Sequence, residues 1–304
     1  MKQFILGVLC ISLLGCNSNH TELANKPNST TNDSINLSIN KSPQKAGPQI
    51  EAYSAFLGTL DTSDATNCGK AVAKFKSLFA KTDAATNDSA YVLFDHYFRR
   101  LSNSLEIRYI DYWPTDSIIP EKQAILPSEI ALIATLKANG FKFISSEGAW
   151  YVNADRDSIQ KWFSTLVSPS MKDYLERVAI EDSERYGDDG AILIPITTLA
   201  DRAVGWERFS NAHPGFVMKD EVMGKYQFYL TELMMGEDNT PAVDWEGQYI
   251  TDYFLKGYEH LFTKYPESNT TKRLKPYFDA LQQKNMTKAQ QILSQYKEQK
   301  ITLW

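Results

Sequence analysis

The densest group of side chains able to do chemistry is acidic: Glu181, Asp182, Glu184, Asp188 and Asp189 share one stretch of chain. The apolar spacing of Met171, Tyr174, Leu175 and Val178 places them at the C-terminal end of a helix, where negative charge opposes the macrodipole. A broken local rule points to function. Asp182, Asp188 and Asp189 would suit a hard cation such as Ca²⁺, although their spacing is not that of an EF-hand. The plainer reading pairs Glu181 with Arg177 and Arg185 across one helical turn and leaves Asp189-Gly190 as a turn. Glu207 beside Trp206 and Asp244 beside Trp245 would suit glycoside hydrolysis if the fold brought the two carboxylates together; otherwise both Trp are packing anchors.

Nucleophiles and metal ligands are sparse. The sequence has no GxSxG, HExxH, GxxxxGK(S/T) or CxxC pattern. His96 and His260 fall in aromatic helical stripes, His213 opens a helix-ending His-Pro-Gly turn, and none has a spaced ligand partner. Cys68, in Asn67-Cys68-Gly69 at a helix start, reads as a buried, inert thiol. The chain thus shows no catalytic set and calls for no cofactor. Tyr109, Tyr112 and Trp113, with Trp150 and Tyr151, sit on irregular or hairpin segments, where aromatics form recognition surfaces for partners or sugars unless the core takes them.

The elements that position these residues are mostly helical. Phe94, Tyr97, Phe98, Leu101 and Leu105 recur at helical spacing, as do Ile159, Trp162, Phe163 and Leu166, and Val222, Tyr226, Tyr229, Leu230 and Leu233. Ser128, Ser168 before Pro169, and Thr287 with Gln290 mark helix starts, while Gly140, Gly236 and Pro266 mark ends. Residues 141–146 and 149–153, split by Glu147-Gly148, predict one small antiparallel hairpin. The expected fold is mainly α, an antiparallel helical bundle or α-solenoid-like domain over residues 51–304, with sub-blocks 51–140 and 154–304. Expected helices 246–265, 270–283 and 287–299 resemble tetratricopeptide-type hairpins at the C-terminal end.

The 304 residues, at 43% hydrophobic and 23% charged, describe a folded protein. A net charge of -5 and a pI near 5.5 argue against a nucleic-acid partner. All 15 Phe, 16 Tyr and 6 Trp except Phe4 lie at or beyond Tyr53, so residues 17–50, rich in Asn, Ser, Thr, Lys and Pro, are expected to be a disordered tether. Such a tether has a root-mean-square span of about 30 Å.

Lys2 followed by an apolar run from Phe4 to Leu14 has the form of an export signal, too short to span a bilayer. The run ends in Leu13-Leu14-Gly15-Cys16, which resembles the lipobox of bacterial lipoprotein precursors. That resemblance implies removal of residues 1–15 as a signal peptide, diacylglycerol and palmitate on Cys16, and, with Asn17 following, residence at the outer membrane. The folded part resembles helical bacterial lipoproteins to which no activity is attached. The expected function is that of a membrane-anchored envelope lipoprotein, a non-enzymatic binding or scaffold module with the lipid bilayer and an envelope protein as partners. The alternatives are an envelope hydrolase on glycan or peptidoglycan, and a lipid-anchored immunity or inhibitor protein.

Overall fold

Helical periodicity over aromatic residues produces the architecture of the computed structural model. It describes residues 47–109, 127–146, 149–244, 246–247 and 249–303, with backbone alone at 127, 129, 145–146 and 149–150. The first elements are α1 (Pro48–Gly58), α2 (Thr66–Phe79), α3 (Ala84–Tyr109) and α4 (Pro127–Ala138). α1 takes in residues 48–50 because Pro48 at the first helical position has its φ already set and needs no N–H partner. The hairpin follows as β1 (Phe141–Ser146) and β2 (Ala149–Ala154), antiparallel, with Phe141 opposite Ala154 and Ile144 opposite Tyr151.

Next come α5 (Arg156–Phe163), α6 (Pro169–Ser183), a two-residue ribbon β3 (Gly187–Asp188) with β4 (Ala191–Ile192), α7 (Ile196–Ala212) and α8 (Lys219–Met235). A second ribbon, β5 (Gly236–Glu237) with β6 (Thr240–Pro241), leads to α9 (Asp252–Lys264), α10 (Asn269–Gln282) and α11 (Met286–Glu298). Residues 46–304 form one compact, mainly α unit. Helices that follow one another pack as pairs, α5 with α6, α7 with α8 and α10 with α11.

Aromatic rings fill the core. Phe163 of α5 lies 4.8 Å from Phe75 of α2, 4.6 Å from Phe94 and 5.1 Å from Tyr91 of α3, measured between ring centroids. Phe98 stacks on Phe141 at 5.0 Å and so fastens the hairpin to α3. Tyr174, Trp206, Phe209 and Phe216 make a second cluster between α6 and α7. Edge-to-face geometry of this kind adds about 1 kcal/mol per pair to the burial itself.

Two expected helix starts are moved by local chemistry. α9 begins at Asp252 rather than 246, because Gly247 takes a φ of 68° and Val243 bridges to Ile250 in extended backbone. α11 is capped by Asn285, whose side chain accepts from the Lys288 amide at 3.0 Å, so Thr287 lies inside the helix. Ser168 caps α6 as expected, accepting from the Met171 amide at 3.2 Å. Asp88 of α3 in turn accepts from the Ser168 amide at 2.9 Å, which ties the loop before α6 back to the first helical block.

The two ribbons are tied to one another. The Asn239 amide donates to Gly190 O at 2.7 Å, its side-chain amide donates to Asp189 O at 2.5 Å, and the Ile192 amide donates to Thr240 Oγ1 at 3.1 Å. Asp189 and Gly190 make their turn at φ values of 50° and 63°.

Candidate ligand-binding cavity

Four helices line a cavity of about 320 Å³ that opens to solvent, with Tyr91 and Arg99 from α3, Arg156 and Ile159 from α5, and further walls from α6 and α8. Arg99 is held from both sides, by Asp95 at 2.6 Å and Glu221 at 2.9 Å. Arg156 lies over the Phe98 ring and reaches Asp95 at 3.5 Å. Lys225 of α8 pairs with Glu181 of α6 at 3.0 Å, and Glu181 also accepts from Trp206 Nε1 at 2.5 Å. These charges are fixed in advance, a condition for binding without a large ordering cost.

The acidic cluster is explained here, and not by a cation. Asp182 accepts from Lys142 Nζ at 2.8 Å and from the Arg156 amide at 3.1 Å, closing the open N-terminal end of α5. Asp188 pairs with Arg185 at 2.5 Å, and Asp189 sits in the β3–β4 turn. Asp182, Asp188 and Asp189 therefore point to separate tasks, and no group of three such side chains able to hold a metal occurs among the described residues. The plainer reading is corrected too: Arg177 pairs with Asp173 at 2.9 Å, and Glu181 finds Lys225, 44 positions on.

Glu207 is equally committed to structure. It is buried, and its carboxylate accepts from the amides of Asn269 and Thr270 and from Thr270 Oγ1, each at 2.7 Å, so that α7 caps the N-terminus of α10. Trp206 is 1% exposed and is a packing anchor. Asp244 accepts from the Tyr249 amide at 3.0 Å in the turn before α9, while Trp245 lies outside the described residues. No glycosidase pair results.

Of the expected recognition aromatics, Tyr109 is half-buried against Phe143 at 6.5 Å, and Tyr151 is half-buried on β2. Trp150 pairs with Ser145 in the hairpin register, and its side chain falls outside the described residues, as do Tyr112, Trp113 and Cys16. Cys68 is fully buried, and burial pushes its thiol up to about 12. His213 closes α7 against Phe209, and His260 pairs with Asp201 at 2.7 Å.

The cavity residues escape sequence reasoning because they lie on separate elements and pair over long separations. The readable signal is Glu181 with Asp182, acidic residues in the last turn of a helix that must find distant cations.

Beside the cavity, Tyr186 donates to Glu232 and lies 3.4 Å from Glu237. Burial raises the Glu232 carboxyl from 4.5 to about 7, against the Tyr186 hydrogen bond and with help from Glu237. A folded-state value raised in this way stabilises the fold fully below 4.5, and that stability is lost as pH rises through about 7. We expect Glu232→Gln, which keeps the shape of the protonated acid, to gain about 2 kcal/mol on the wild type between pH 5 and pH 8, after allowance for solvent screening. Melting curves of both chains across that range check this. Parallel curves would show that Glu232 is already charged at pH 5.

Compared with known proteins, the chain matches no protein-family model, no curated protein and no solved structure.

Proposed function

We propose that the chain is a lipid-anchored binding protein of the bacterial envelope, acylated on Cys16, whose helical region takes up a small polar ligand in the cavity between α3, α5, α6 and α8. The observation that carries the binding half is that cavity, of ligand size and lined by tyrosines and pre-paired charges. The anchoring half rests on the charged amino end, the short apolar run and Leu13-Leu14-Gly15-Cys16. The outer membrane is the destination that Asn17 implies. No helix among the described residues is long and apolar enough to cross a membrane. The succession α9, α10 and α11, with Ala289 buried where α11 meets α10, supports the likeness to tetratricopeptide-type hairpins at that end.

Anchoring is tested by growing producing cells with labelled palmitate. We expect label on the wild-type chain in the membrane fraction and an unlabelled, unprocessed chain for Cys16→Ala. Label retained by Cys16→Ala overturns the anchor. Binding is tested by passing a small-molecule envelope extract over both the full chain and the Tyr91→Phe/Tyr174→Phe chain. Retention of a compound by the first alone supports the reading, and retention by neither overturns it. Turnover of an added glycan or peptidoglycan would replace binding with hydrolysis.

A further inference from the structure

The polar groups left open in the cavity specify what it takes. Tyr91 and Tyr174 line it, are 1% and 5% exposed, and make no hydrogen bond to a described residue. Only Tyr97 Oη and Thr302 Oγ1 are sealed from solvent and unpartnered among the described residues, so the Tyr91 and Tyr174 hydroxyls open into the cavity. Both stand in the field of Asp95, Arg99 and Arg156, and burial together with Asp95 pushes their ionisation well above the ordinary range, so each remains a donor at any physiological pH. Arg156 has five N–H donors in a planar fork. Its plane lies over the Phe98 ring, and among the described residues its one side-chain hydrogen-bond partner is Asp95, at 3.5 Å. Two hydroxyls and a guanidinium lining one cavity offer the donors that a carboxylate needs.

The acceptors are open on the other side. Asp182 engages Lys142 and the Arg156 amide through Oδ2, and Glu221 engages Arg99 through Oε2. Among the described residues the second oxygen of each carboxylate has no hydrogen-bond partner and can accept from an ammonium group. Along the walls Arg99, Arg156 and Lys225 face Glu181, Asp182 and Glu221, so the cavity carries no net charge but has its charges separated. A ligand of net charge would upset this balance, whereas a dipolar ligand leaves it intact. The volume of about 320 Å³ stands at the small end of ligand sites and admits an amino acid or a dipeptide.

From this geometry we infer that the cavity binds a small zwitterion, an α-amino acid or dipeptide, with its carboxylate on Arg156, Tyr91 and Tyr174 and its ammonium on Glu221 and Asp182. The inference rests on the binding reading above and adds the class of ligand. The test is titration calorimetry and melting of the full chain with the free amino acids, glycyl dipeptides, glucose, N-acetylglucosamine and inorganic phosphate. At least one amino acid or dipeptide is expected to bind. Its N-acetyl and methyl-ester forms should each bind at least tenfold more weakly. Tyr91→Phe/Tyr174→Phe should weaken it at least tenfold while melting no lower than the wild type without ligand, since each substitution removes only a hydroxyl that has no protein partner. If the blocked forms bind as well as the free one, or if a sugar or phosphate binds in place of every zwitterion, the ligand class is wrong and the binding reading stands. If nothing binds, and the envelope extract also yields nothing, both fall.

Discussion

Replacing Glu207 by alanine is expected to cost about 3 kcal/mol and to lower the melting temperature of the folded region by roughly 6–12 °C. Three donors at the start of α10 converge on this one carboxylate at 2.7 Å, and Thr270 is itself fully buried, so water cannot replace what is lost. A negative charge at a helix N-terminus adds to the effect. Glu207→Gln separates the two contributions, because it keeps one acceptor but turns an amide N–H₂ toward donors, and should recover less than half of the loss. Thermal melting at neutral pH is the measurement. A loss below about 1 kcal/mol for the alanine chain would mean that Ser268, which already accepts from the Thr271 amide at 3.0 Å, caps α10 sufficiently alone.

The second large effect is expected at Phe163. Its ring is wholly buried and meets Phe75, Phe94 and Tyr91 at centroid separations of 4.6–5.1 Å. Removing such a ring from a packed core costs about 3–5 kcal/mol, through lost burial and the cavity left behind. The position also bears on the proposed binding. α5 carries Phe163 at its end and Arg156 and Ile159 before it, so the ring that closes the core also sets one wall of the cavity. We therefore expect Phe163→Ala to lower denaturant stability by that amount, and Phe163→Leu to lower it less while preserving ligand uptake. Equal losses from both would show that the ring contacts contribute nothing beyond apolar volume.

Periodicity reveals the helices and the hairpin because both depend on short-range spacing. Ser168 with Pro169, and Gly236 with its φ of 73°, behave as their residue types require. The start of α9 was hidden because Tyr249 and Ile250 continue an apolar stripe that Gly247 and an extended bridge interrupt in space. Most of the cavity was not legible, since its ion pairs join residues such as Glu181 and Lys225 that no local spacing relates. Tyr174 reads in sequence as an ordinary member of a core stripe and Tyr91 belongs to none of the stripes named there, and only the missing hydrogen bonds set the two apart. Glu207 shows the reverse: a residue that looked chemical is a helix cap, because its partners lie 62 and 63 positions away.

The tie between the β3–β4 and β5–β6 ribbons joins points about fifty residues apart, and everything between them is the α7–α8 pair. The two turns therefore act as a clasp on a closed loop: neither can be released without costing the other its hydrogen bonds, and the clasp cannot fasten until α7 has found α8. Tyr186 sits one residue before β3 with its backbone carbonyl bound by the Leu193 amide at 2.8 Å, so the part of the cavity wall it forms is held by the same ribbon. That part of the wall therefore depends on the clasp, and its protection from hydrogen exchange should rise and fall with that of the α7–α8 pair.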